Sequence, residues 1–309
     1  MSQNIWVLGE ALMDCVAQSD GSLRPLMGGS PFNMARAAAL RGAKVGFLNP
    51  LSVDLFGQQM RGQFEADGVE PLSPPSLMPT SLAVVQINRG QPSYGFYREG
   101  IADRDYTAEG VLSLLRPQVP GILHTGSLLL IPPEHNKVMA ILKGAREMGW
   151  TISVDINLRP KATDDFAQYV KALHQVIEQT DWLKASDEDL KSLGFVDVRI
   201  DESASLVSKL RAEVMPGKLS RVALTFGAEG AYLAIDGQHQ SLPAPSVTVA
   251  DTVGAGDTFW GNTLADWALL PSKAAARVAS TLQLSMKAAA INCTRSGCQP
   301  PTWQEIQAN

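Results

Sequence analysis

Cysteine is scarce, with Cys15, Cys293 and Cys298 the only three in 309 residues. An odd, scattered trio builds no disulfide framework and suits a reducing compartment, so a cytoplasmic protein is expected. Cys293 and Cys298 have a C-x4-C spacing with no second Cys or His pair, and His124, His135, His174 and His239 show no H-x-x-x-H spacing. No zinc site is expected. Basic runs are missing too, and Lys+Arg 26 against Asp+Glu 31 leaves a net charge of −5. That argues against nucleic acid or an anionic membrane surface as partner, although local backbone dipoles can still hold a phosphate. The opening MSQNIWVLGEALMD lacks a basic leader, Glu10 interrupts its apolar run, and later runs such as SLLLIP are only strand-sized. Neither a signal peptide nor a membrane span is expected.

Two phosphate-binding signatures are absent as well. No G-x-x-x-x-G-K-[ST] occurs, since the only Gly-Lys pair, Gly217-Lys218, has Ala212 where the first glycine would stand. No G-x-G-x-x-G opens a helix either, so a nicotinamide-dependent oxidoreductase lacks its fingerprint. Repeats, low-complexity tracts and long linkers are also missing.

What is present is a globular composition, 45% hydrophobic and 18% charged, long enough for a full core without staples. IWVLG (5–9) reads as a buried strand, PFNMARAAALRGA (31–43) as a helix, and KVGFLN as a second strand. GILHTGS, a helix over 134–148, WTISVDIN, a helix near 163–178, DWLKAS, a helix from 187 and RVALTFG continue the alternation. Apolar strands alternating with helices predict a parallel sheet covered on both faces. Two stretches break the rhythm. SLAVVQINRGQPSYGFY (81–97) alternates with period two about RGQP, and AYLAIDGQHQSLPA (231–244) about Asp236-Gly237, so both read as antiparallel hairpins. The first suggests a small projecting sheet that could act as a lid.

The stretch DTVGAGDTFWG (251–261) carries the chemistry. Small residues entering a helix let free amides and the positive end of the helix dipole approach an anion, so Gly254, Ala255 and Gly256 form a cradle for negative charge. Asp257 beside it has two readings. It caps the helix, as aspartate commonly does, or it is a general base that takes a proton from a hydroxyl attacking a phosphoryl group.

These residues, taken together, match a family. DTVGAGDTFWG resembles the C-terminal signature, and GGSPFNMARAAALRGAKVGFL (28–48) the N-terminal signature, of the ribokinase-like (PfkB) carbohydrate kinases. TFGAEG (225–230) is similar to their T-x-G-x-x-G nucleotide segment, and the likeness runs essentially end to end. The resemblance implies a three-layer αβα fold with a mostly parallel central sheet: one kinase domain over 1–309, with a small β-sheet lid from about 10–30 and 80–106. It implies transfer of the ATP γ-phosphoryl group, with Mg2+, to a sugar hydroxyl. Asp257 is then the base and Gly254, Ala255 and Gly256 the anion hole, while Asp14, Gly28, Gly29 and Asn33 hold sugar hydroxyls. Read alone, Asn33 is also a polar first-turn residue and Gly28-Gly29 a plain turn.

Finer likenesses follow. VDINLRP (154–160) resembles the D-x-N-x-R strand end of fructokinases and 2-keto-3-deoxygluconate kinases. It sets Asn157 on the substrate and Arg159 on phosphate oxygens, unless Arg159 is a plain surface arginine. FYREGIADR (96–104) resembles their lid segment, with Arg98 either on the substrate or solvated. KASDEDL (184–190) falls where relatives carry N-x-x-E, which sets Ser186 at the nucleotide and Asp189 at Mg2+ through water. Thr225, Gly227, Gly230 and Asn292, with Gly254 and Gly256, would line the ATP site. Asp251 would help hold a potassium ion, although Pro301 stands where ribokinase has a hydroxyl residue. The resemblance also implies a homodimer joined through lid sheets. The expected activity is a fructokinase making fructose 6-phosphate; 2-keto-3-deoxygluconate kinase, aminoimidazole riboside kinase and a non-catalytic sugar or nucleotide sensor are the alternatives.

Overall fold

The computed structural model describes residues 2–88, 91–214 and 218–308. Thirteen strands are found among them. In chain order they are β1 (Ile5–Leu8), β2 (Leu12–Ala17), β3 (Leu23–Gly28), β4 (Val45–Phe47), β5 (Val69–Pro71), β6 (Ser81–Asn88) and β7 (Gln91–Tyr97). There follow β8 (Ile122–Gly126), β9 (Thr151–Asp155), β10 (Trp182–Ser186), β11 (Arg221–Thr225), β12 (Ala231–Ile235) and β13 (Gln238–Leu242). The helices are α1 (Ser30–Leu40), α2 (Leu55–Asp67), α3 (Ala108–Leu115), α4 (Glu134–Glu147) and α5 (Phe166–Glu178). They continue with α6 (Asp187–Ser192), α7 (Ser203–Ala212), α8 (Ala255–Leu269), α9 (Val278–Cys293) and α10 (Trp303–Ala308).

Nine strands form one sheet in the order β13-β12-β11-β10-β9-β8-β1-β4-β5, parallel from β11 to β5 and antiparallel at β12 and β13. Strands β1, β4 and β8 are buried along their whole length, as expected where helices cover both faces. One core cluster joins the sheet to α3, α4, α5 and α7. The other joins it to α1, α2, α8 and α9. This is the covered parallel sheet that the strand–helix alternation predicts, in the three-layer arrangement that the resemblance implies.

Local chemistry sets several boundaries. The expected helix near 163 begins only at Phe166, where Asp165 Oδ1 accepts from Gln168 N at 2.9 Å. Asp236 and Gly237 both hold positive φ (47° and 87°), as a two-residue hairpin turn requires, so the 231–244 hairpin closes where expected. Strands β6 and β7 pair antiparallel with Asn88 opposite Gln91, so the last two residues of the expected RGQP turn, Gln91 and Pro92, belong to β7; residues 89–90 lie outside the described residues.

A second sheet has the order β3-β2-β6-β7, and its strands fall within the 10–30 and 80–106 ranges. Leu12, Asp14 and Val16 alternate along β2 and face one cavity, while Met13 and Cys15 point the other way into a core cluster.

Helix α8 is held tightly against α1. A Cβ on Gly261 would come within 2.6 Å of the Met34 carbonyl, so only glycine lets the two backbones approach this closely. The start of α8 is thereby brought to the start of α1.

Candidate active site

A cavity of about 760 Å³ opens where the carboxyl ends of the parallel strands meet the small sheet. It is lined by ten of the residues expected at the site: Asp14, Gly29, Asn33, Asn157, Arg159, Asp251, Gly254, Ala255, Gly256 and Asp257. Open α/β sheets place ligands at this edge.

Gly254 precedes α8 with φ 74°, and a Cβ there would fall 2.1 Å from Cys298 Sγ, so the turn into the helix demands glycine. Ala255 N–H donates to Thr252 O at 3.2 Å, whereas the N–H groups of Gly256 and Asp257 find no backbone acceptor. The cradle therefore offers the amides at its inner end rather than the one on Ala255. Asp257 does not cap its helix: it is the third residue of α8, and no side chain caps that end. Its Oδ1 instead accepts from Ser30 Oγ at 2.7 Å, and its Oδ2 from Asn33 Nδ2 at 2.9 Å. Burial raises its pKa, opposed by these two hydrogen bonds and by the charges of Lys184 and Arg159.

Positive charge arrives from beneath. Lys184, from β10, is 3% exposed and lines the cavity, with Nζ 2.8 and 2.7 Å from the two Asp155 oxygens. A Cβ on Gly256 would lie 3.3 Å from that Nζ, so the ammonium sits directly against the cradle. Burial lifts the Asp155 carboxyl to about 6, with Lys184 opposing. Asp14 is likewise lifted to about 6 by burial, opposed by Arg159 across the cavity and reinforced by Asp257. Gly28 lies against this carboxylate, since a Cβ there would meet Asp14 Oδ2 at 2.2 Å. Asn157 holds φ 38°, a left-handed conformation that asparagine tolerates, as the chain leaves β9.

Other expected residues lie elsewhere. Arg98 is neither solvated nor in this cavity. It lines a second cavity of about 770 Å³, which shares Phe96 and Leu128 with the first, and its Nη2 is 3.5 Å from Asp103 Oδ1. Asp189 turns to its own helix end: Oδ2 accepts from Ser186 N and Oγ at 2.8 Å each, and Oδ1 accepts from Leu158 N at 2.7 Å. Of the two acids, the neighbouring Glu188 rather than Asp189 lines the cavity. Asp251 accepts from Val253 N and Gly297 N, at 3.0 and 2.9 Å. Asn292 is wholly buried and ties Val253 O to Gln299 N at 2.8 Å each, outside the cavity wall. Thr225 ends β11, with Gly227 and Gly230 in the turn that follows, also outside that wall.

Several cavity residues escaped the sequence reading, Glu188 among them. Ser30 sits in the GGSPFN motif, yet only its contact with Asp257 marks it. Lys184 had a visible signal, a lysine inside an otherwise apolar strand. Glu10 was read only as an interruption of an apolar run.

A sequence model described as pfkB family carbohydrate kinase matches residues 2–305. The chain is 31% identical over 263 residues to a fructokinase of Rhizobium leguminosarum bv. trifolii, covering 83% of this chain and 77% of that protein. It is 28% identical over 314 residues to a fructokinase of Vibrio alginolyticus, covering 98% and 97%. Among solved structures, a fructokinase with bound ATP from Xylella fastidiosa aligns with a TM-score of 0.82 at 24% identity, over 98% and 97% of the two chains. Aminoimidazole riboside kinase from Salmonella enterica, complexed with aminoimidazole riboside and an ATP analog, aligns at 0.81 and 23%, over 99% of each. The shared architecture is the ribokinase-like α/β fold. Within that class, this chain belongs to the pfkB family of carbohydrate kinases.

Proposed function

We propose that this protein transfers the γ-phosphoryl group of ATP to D-fructose, forming fructose 6-phosphate and ADP. One observation carries the reading: a buried carboxylate, Asp257, faces a cavity with room for a sugar and nucleotide phosphates beside unpaired helix-start amides. Ser30 and Asn33 each occupy one lone pair on a different Asp257 oxygen, which leaves acceptor capacity for a substrate hydroxyl. The sugar oxygen attacks phosphorus in line, its proton passes to Asp257, and the bond to the β-phosphate oxygen breaks. Burial, which raises this carboxyl's pKa, makes it a stronger proton acceptor. The Gly256 and Asp257 amides, Lys184 and Arg159 stabilise the transferred group, and Asp14, Asn33 and Asn157 hold the sugar. The small sheet closes the cavity as a lid.

Among the described residues no group of three or more His, Cys, Asp or Glu could hold a metal, so a preformed protein cage is not the design. That fits Mg2+, which binds through one or two carboxylates plus substrate phosphates. Glu188 on the wall is the carboxylate placed for it, and Asp189 acts by orienting the start of α6. The ion supplies charge neutralisation on the nucleotide phosphates. Potassium beside Asp251 belongs to the same reading, since each of its oxygens keeps one free lone pair. Leu23 and Tyr97 of the small sheet are 49% and 64% exposed, which supports a homodimer joined through the lids. Three free thiols support a cytoplasmic location.

The test is ADP formation from ATP across fructose, 2-keto-3-deoxygluconate, ribose and aminoimidazole riboside. Fructose should give the highest kcat/KM. No sugar-dependent ADP with any of the four would refute the kinase reading and leave a sensor.

A further inference from the structure

Arg36 lies one turn beyond Asn33 on α1 and is buried, yet the site described so far gives its charge no task. Its Nε donates to Asp67 Oδ2 at 2.6 Å, at the end of α2, where Gln63 Nε2 also reaches both carboxylate oxygens at 3.0 Å. Its Nη1 donates to the backbone carbonyl of Cys298 at 3.2 Å, across 262 positions. A guanidinium holds two acceptors at a fixed spacing, which an ammonium does not. One end of the fork is thus anchored on α2 while the other grips the segment between α9 and α10.

Cys298 is the residue of that segment packed on the cradle. Its Sγ lies where a Cβ on Gly254 would come within 2.1 Å, and the same side chain bears on Thr258, the residue after the base. Gly254 and Thr258 close the first turn of α8, since Thr258 N donates to Gly254 O at 2.8 Å. The sulfur therefore lies along the turn that carries Ala255, Gly256 and Asp257. Burial pushes the thiol far above its usual range, so it is a neutral packing group and not a nucleophile. Gly297 N is tied to Asp251 and Gln299 N to Asn292, and Arg36 supplies the tie from α1.

We infer, on the kinase reading, that Arg36 is a positioning residue for phosphoryl transfer. Through the Cys298 carbonyl it holds the Cys298 side chain against the first turn of α8, which fixes the Gly256 and Asp257 amides where charge develops on the transferred group. Helix α1 then grips the catalytic turn twice, with Ser30 and Asn33 on the carboxylate and Arg36 on the backbone through Cys298. Preorganised amides act chiefly in the transition state, so a loosened turn lowers kcat and leaves KM alone.

The experiment measures kcat and KM with ATP and fructose, and the urea midpoint, in wild type, Arg36→Lys, Cys298→Ala and the double variant. Lysine keeps a charge for Asp67 but has no second nitrogen for the Cys298 carbonyl, while alanine keeps the carbonyl and removes the brace. Each single variant should lose about 10–100-fold in kcat, because a misplacement near 1 Å costs that much. KM for both substrates should stay within about twofold. The double variant should be no slower than the slower single, since both substitutions undo one brace. Cys298→Ala carries the test even where Arg36→Lys fails to fold. A folded variant with wild-type kcat, a loss that falls on KM instead, or losses that multiply in the double variant overturns the brace and leaves the kinase reading intact. A wild type inert toward every sugar overturns both.

Discussion

Replacing Lys184 with methionine separates the electrostatics of the cavity floor from its packing. Lys184 and Asp155 are 3% and 2% exposed, and the ammonium contacts both carboxylate oxygens. Removing the cation strands a buried carboxylate, a change that costs about 3–5 kcal/mol when the charge persists. The charge need not persist, because burial already holds the Asp155 carboxyl at about 6 and the lost lysine would let it climb further. A folded pKa above the unfolded one means the native state binds that proton more tightly. Stability therefore falls as pH rises between the two values, by at most about 1.4 kcal/mol per pH unit. In wild type that window closes near pH 6; in the variant it extends upward. The variant's deficit relative to wild type should thus grow by at most about 2 kcal/mol between pH 5.5 and 7.5, since wild type itself loses about 0.8 kcal/mol over that range. Urea unfolding followed by tryptophan fluorescence at the two pH values reads this directly. Lys184→Met/Asp155→Leu should recover most of the loss at pH 7.5. An equal deficit at both pH values, or a double variant no better than the single one, would refute the account.

Asp257→Asn should lower kcat on the order of 10²–10⁴-fold while changing KM for the sugar little; near-full turnover would remove Asp257 as base. Gly254→Ala should unfold the start of α8 or abolish activity, because φ is 74° and a Cβ would fall 2.1 Å from Cys298 Sγ; pairing it with Cys298→Ala should restore only part of the loss, since the backbone strain remains. Asp14 must be ionised to accept from the sugar, so kcat/KM should fall as pH drops through about 6 rather than through the usual carboxylate range. Asp14→Asn should move that acid limb, and a limb unchanged by the substitution would reassign it. Stripping divalent cations with a chelator should stop turnover, and Mg2+ should restore it; activity that survives full chelation would contradict metal-neutralised phosphates.

Much of the site was legible in sequence for a local reason. The knot before Asp257 works through backbone conformation, and only glycine accepts both the φ of 74° at Gly254 and the sulfur packed against it. The strand–helix alternation foretold the sheet, and the sheet foretold which edge opens into the cavity. The hairpin at 81–97 was readable from its period of two, but its partner β2, and β3 beyond it, were visible only as part of a family likeness.

The chain by itself determined the sheet order's covered character, the amide cradle and the identity of the carboxylate beside it, all of which depend on neighbours in sequence. Tertiary structure decided what those groups touch. Ser30 and Asn33 reach Asp257 across 227 and 224 positions, Lys184 rises beneath Gly256 from a strand in the middle of the sheet, and Arg98 drops into a separate cavity. Asp189 makes the same point, since its side chain closes a cap on Ser186 and binds the Leu158 amide of a loop brought alongside. Backbone preference is written within a few residues, whereas the direction of a side chain is settled by whichever partner packing brings within hydrogen-bond reach.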